Sequence, residues 1–124
     1  MPEKIIVLAT NGPGAPAPEK GAASPESLVS GEYKTTTYNH WTGENDRLYC
    51  GIWECSPGKV KVDYAEWEYC YFIEGKAILT NEAGESWTLK KGDGFIIPPG
   101  FKGTWETVEP VKKHYVILMP PPAA

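Results

Sequence analysis

Gly92-Asp93-Gly94-Phe95-Ile96-Ile97-Pro98-Pro99-Gly100 sets a short apolar run between glycine and proline turn formers. The same alternation of β-prone runs and turn signals extends from residue 32 onward. Residues 32–38 are rich in β-branched and aromatic types, which suit a pleated surface. Residues 42–46 turn, 47–54 form a second run, and Ser56-Pro57-Gly58 turns again. Residues 59–64 and 67–73 follow. Glu74-Gly75 is a tight connection into 76–80, and 81–84 is a hairpin loop into 86–89. Beyond the quoted stretch lie 104–108 and 111–118. No segment keeps a helical period, and the prolines and glycines would break one. The expectation is an all-β sandwich or barrel of about nine or ten strands.

The N-terminal portion reads differently. Residues 5–8, Ile-Ile-Val-Leu, form a short apolar run predicted as a strand, which needs a sheet edge in its own subunit or a partner's. Asn11-Gly12-Pro13-Gly14-Ala15-Pro16-Ala17-Pro18 cannot propagate a helix or a ladder. The division expected is an extended arm over 1–30, one domain over 31–119 and a tail over 120–124, closed by a proline run. With 124 residues and 23% charged, 41% hydrophobic composition, the chain is long enough for one core without staples. Its net charge of −4 and lack of a basic cluster exclude a nucleic-acid partner. Cys50, Cys55 and Cys70 form no CxxC pair, and an odd count opposes a disulfide framework. No run reaches membrane-span length, and residues 4–10 are too short for a secretory segment. The expected location is the reducing cytoplasm.

Glu68, followed seven residues later by Gly75, combines with Gly92-Asp93 and Pro98-Pro99-Gly100 at the spacings of the two cupin motifs. Over residues 47–118 the chain therefore resembles the cupin family. Within it, Gly51-Ile52-Trp53-Glu54-Cys55-Ser56-Pro57-Gly58, Glu68-Tyr69-Cys70-Tyr71-Phe72-Ile73-Glu74-Gly75, Gly100-Phe101-Lys102-Gly103-Thr104-Trp105-Glu106 and Lys113-His114-Tyr115 are similar to one subfamily. That group, DUF861-like, holds the ethanolamine-utilisation cupin and the cupin domain of ureidoglycine aminohydrolase. The resemblance implies an RmlC-like jelly-roll β-barrel (a double-stranded β-helix), commonly a dimer. A homodimer using the N-terminal run is expected, since so small a barrel offers that run little to bury against.

The resemblance also implies a metal site, and here the chain departs from it. The histidine pair of the first motif falls on Lys61 and Asp63, or on Val62 and Tyr64. The second motif's histidine falls on Gly103, and its later asparagine on Thr107. Only Glu68 remains, and one carboxylate does not hold a transition metal. No metal and no other cofactor is expected; the one rebuilt alternative is Glu68 with Asp63 and His114.

Strand alternation puts Glu68, Cys70 and Phe72 on one face, and Gly103, Trp105 and Thr107 on one face. The expected pocket takes Glu68 and His114 as acid/base candidates, and Tyr64, Cys70, Trp105 and Trp53 as ligand contacts. A carboxylate in an aromatic-lined cavity resists ionisation and can transfer protons. The plainer readings are a structural Glu68 bonded to Tyr64, Lys102 or Lys113, a passive Cys70 thiol, a structural His114 and tryptophans that are core. The functional expectation is a metal-free cupin binding a small polar or anionic molecule. The alternatives are an enzyme of small nitrogenous metabolites using Glu68, and an accessory dimer without ligand.

Overall fold

The computed structural model describes residues 2–122. Its strands are β1 (Glu19–Ala22), β2 (Leu28–Gly31), β3 (Lys34–Gly43), β4 (Leu48–Cys55), β5 (Gly58–Asp63), β6 (Trp67–Asn81), β7 (Ser86–Lys90), β8 (Gly94–Ile97) and β9 (Lys102–Leu118). All pairings are antiparallel. β6 and β9 are long enough to run through two layers. One layer has the order β1-β3-β4-β9-β6-β8 and uses the C-terminal half of β9 and the N-terminal half of β6. The other, β2-β5-β9-β6-β7, uses their remaining halves. The core lies between the layers, with Cys70, Phe72, Ile97 and Val111 from the first against Val60, Ala77, Leu79 and Trp105 from the second. This is the expected jelly roll.

Gly75 is not a turn between two strands. It is a bulge inside β6, where the register against β9 shifts between Phe72 and Ala77. Its φ of +94° and a Cβ direction that runs into the Pro110 carbonyl oxygen leave room for glycine alone. The inward residues are Glu68, Cys70 and Phe72 before the bulge and Ala77 and Leu79 after it. The slip therefore exchanges the faces of the strand. β9 likewise passes unbroken through Pro110.

The arm also differs from expectation. Residues 5–8 form no strand and pair with no edge of the chain's own sheet. Ile5 is 91% and Val7 76% exposed. Residues 11–18 lack a ladder, as their prolines and glycines require. Within the segment expected as arm, however, β1 pairs with β3 and β2 with β5, so the sheet starts at residue 19. Neither short strand has strong β propensity; ladder bonds to β3 and β5 hold them.

A candidate ligand pocket centred on a buried ion pair

β6 and β9 lie side by side, and both alternate. On β6 Glu68 points inward; on β9 Lys113, Tyr115 and Ile117 do. Glu68 and Lys113 are 5% and 4% exposed. The Lys113 ammonium donates to Glu68 Oε2 at 2.9 Å and reaches Cys70 Sγ at 3.4 Å. Of the three partners open to Glu68 in the sequence, the fold selects Lys113. The indoles of Trp53 and Trp105 flank the ammonium, with ring centroids 4.5 and 4.7 Å from Nζ. Cations are attracted to such ring faces. Burial alone would push the Lys113 ammonium down. Its neighbours Cys70, Glu68 and Tyr64 act the other way, and the net direction is upward. Cys70 keeps its proton at neutral pH, so the Glu68 carboxylate is the partner that counts there.

The pair forms one wall of a cavity of about 440 Å³. Tyr33, Tyr49, Tyr64 and Tyr115 supply phenols, Asn39 and Thr37 supply smaller polar groups, and Glu19 of β1 stands at the rim. Tyr115 donates to Asn39 Oδ1 at 2.8 Å. Tyr33 holds a φ of +50°, unusual for a bulky side chain, where its N–H donates to the Pro57 carbonyl at 3.1 Å. There its ring packs against Trp53, with centroids 6.2 Å apart. Trp105 meets Trp53 edge-on at 5.5 Å and donates from Nε1 to Thr107 Oγ1 at 2.9 Å. Thr107 bonds Cys55 Sγ in turn.

Four of the six expected site residues, Glu68, Tyr64, Trp53 and Trp105, line this pocket. Cys70 does not; it lies fully buried beneath the ion pair. His114 belongs to the opposite face of the sheet, because it follows Lys113 directly along β9. There it neighbours Tyr71, and burial together with His40 and Lys112 lowers its pKa. A Glu68–His114 acid/base pair is thus ruled out by strand alternation. The residues the sequence did not single out are Tyr33, Asn39, Tyr49 and Tyr115. The shared parity of Lys113 and Tyr115 was a usable signal, but Tyr33 and Asn39 arrive from strands distant in sequence.

The donor set does not fit a transition metal. Glu68, Asp63 and His114 are not gathered, and no cluster of three or more His, Cys, Asp or Glu side chains forms among the described residues. Tyr64 stands in the pocket at one of the histidine positions. At the other, a Cβ on Gly103 would overlap the Thr80 carbonyl oxygen and come within 2.8 Å of Asn81 Cα. No side chain enters there without moving the β6 backbone.

Burial pushes the Cys70 thiol and the Tyr115 phenol up to about 12, and the Cys55 thiol up to about 11. The unfolded chain releases the thiol protons near their ordinary value of 9.0, whereas the folded chain retains them. A folded state that binds more protons loses stability as pH rises, by about 1.4 kcal/mol per pH unit per proton. Lys113, shifted upward from 10.5, acts in the same direction. The urea midpoint should be level through neutrality and fall steeply above about pH 9. The fall should be shallower in Cys70→Ala. A midpoint unchanged up to pH 11 would contradict this account of the interior.

The architecture and the two motif segments define the chain as a cupin. It belongs to the EutQ-like cupin domain family, whose pattern matches residues 42–115. A Pseudomonas syringae pv. tomato DUF861-family protein of unknown function superposes with a TM-score of 0.74 at 24% identity. That match covers 82% of this chain and 43% of that protein, so this chain spans less than half of the relative's length. Clostridium difficile EutQ gives 0.62 at 22% identity, with 80% of each chain covered. A Thermotoga maritima DUF861-family protein is 39% identical over 52% of this chain and 73% of its own, with a TM-score of 0.50. No curated protein matches the chain. Among the described residues no helix is long and apolar enough to cross a membrane.

Proposed function

We propose that the barrel mouth binds a small polar molecule that is uncharged or cationic, without a metal. The observation that carries this reading is the state of Lys113. It is the one ammonium lining the pocket, and it is already bonded to Glu68 and enclosed by two indoles. An incoming anion finds no free cation. With Glu19 at the rim, two carboxylates line the cavity against one ammonium. Six aromatic side chains supply faces that attract organic cations and accept stacked planar amides. Asn39 and the phenols supply the few placed polar groups that orient a ligand in a mainly apolar site. Three probes of matched size test it: propylamine, propionamide and propionate, each followed by thermal shift and calorimetry. The amine or the amide should stabilise the protein, propionate should not, and Trp53→Leu should weaken the effect. If propionate alone binds, or none of the three does, the reading fails.

A further inference from the structure

β7 and β8 end the two layers on the same side of β6. β8 pairs with the N-terminal half of β6 and β7 with its C-terminal half, and neither pairs with the other. The sandwich is therefore not closed by ladder bonds along this edge. Residues directly opposite in an antiparallel pair share a face. Trp87 opposes Leu79 and Leu89 opposes Ala77, while Phe95 and Ile97 oppose Cys70 and Glu68. All four thus point to the core side, yet Trp87 is 46% exposed. Between the two edges lies a slot of about 440 Å³, as large as the barrel-mouth cavity. Its floor is core, with Leu79 3% and Ile97 2% exposed. Leu89, Phe95 and Phe101 pack against the same core cluster.

We propose that this slot is a second ligand site, which takes a small, uncharged, apolar molecule. The chemistry of the lining selects that occupant. No charged side chain lines the slot, and its one amide, Asn81, is engaged elsewhere. Asn81 Oδ1 accepts from the backbone N–H groups of Ala83 and Glu85 at 3.0 Å each, and Nδ2 donates to Glu85 Oε1 at 3.0 Å. A polar guest would give up its water hydrogen bonds with no side chain to replace them. An apolar guest gives up none, and apolar recesses in protein interiors take up hydrocarbons where water finds no partners. Depth selects a small molecule over a protein surface. The slot reaches the core between two layers, whereas a flat partner would cover only its rim. Trp87 and Phe101 meet edge-on with centroids 6.2 Å apart, and such rings suit a planar guest.

The slot is distinct from the barrel mouth. The two cavities share no lining residue, although Tyr64 of the mouth meets Phe101 of the slot edge-on at 6.3 Å. Their linings also differ in kind. The mouth carries phenols, Asn39 and the Glu68–Lys113 pair, and the slot carries none of these.

Toluene is the probe, with benzoate as its charged counterpart. Calorimetry on the full chain should give a dissociation constant below about 1 mM for toluene and no binding of benzoate. Intermolecular Overhauser effects should connect the toluene protons to Trp87, Leu89 and Phe101 in the wild-type chain. Trp87→Glu places a carboxylate in the slot at a half-exposed position. It should weaken toluene about ten-fold or more, with an unchanged far-ultraviolet spectrum. Trp53→Leu, in the barrel mouth, should leave toluene binding as it is. The proposal is overturned if toluene does not bind up to its solubility limit, or if benzoate binds equally well. It is also overturned if folded Trp87→Glu binds undiminished, if Trp53→Leu abolishes binding, or if the Overhauser contacts fall on Tyr33 or Tyr115 instead of Trp87. A chain mass by light scattering that falls as toluene is added would place a protein surface in the slot, which equally overturns it. Should Trp87→Glu not fold, the wild-type contacts decide alone.

Discussion

Lys113→Met is expected to cost about 3–5 kcal/mol of stability, because it leaves the Glu68 carboxylate buried without its cation. Glu68 is only 5% exposed and its Oε2 accepts the ammonium at 2.9 Å. Removing one member of a buried pair leaves the full desolvation cost of the other. The attraction within an intact pair roughly offsets that cost. The informative variant is therefore the double one. Glu68→Leu with Lys113→Met replaces both charges by side chains of similar volume and should return most of the loss, within about 1–2 kcal/mol of wild type. Urea unfolding of the four proteins of this cycle measures the coupling. A single variant within 1 kcal/mol of wild type, or a double variant as unstable as the summed singles, would show that the pair is not desolvated as described.

Trp105→Ala should be nearly as damaging, at about 3–5 kcal/mol. The indole lines the pocket, yet it is 1% exposed. Its faces and edges meet Trp53 at 5.5 Å and Phe72 at 6.0 Å, and its Nε1–H holds Thr107. Truncation opens a void at the junction of the two layers and removes one of the two rings over the Lys113 ammonium. β6 and β9 pass through both layers there, so neither can move inward to fill the space. Trp105→Phe retains an aromatic face and should cost less. A loss below about 1.5 kcal/mol for the alanine variant would mean that the indole is mainly pocket wall, against the burial seen here.

Much of the candidate site could be read from residue order, and the exceptions share a cause. Alternation within β6 correctly turned Glu68 inward, and alternation within β9 turned Trp105 the same way. It failed for His114 because the sequence reading did not set it against Lys113, its neighbour of opposite parity. Cys70 has the correct face but too great a depth, and depth depends on what the facing layer places above it. Lys113 appeared only as one of three partners for Glu68. The sequence contains all three, and the register of β6 against β9 chooses among them.

By itself, the order of residues determined the all-β class, the cupin motif spacing and the loss of the usual histidines. Those features are local. Turn formers, β-prone runs and the identities at Val62, Tyr64 and Gly103 are properties of short segments. Tertiary structure alone decided that β6 and β9 run unbroken through Gly75 and Pro110, and that residues 19–31 belong to the sheet. It also decided that Glu68 meets a lysine 45 positions away. Each of these depends on pairing between strands far apart in the chain. A one-residue slip in such pairing exchanges every inward side chain for an outward one, and local propensity does not specify that register.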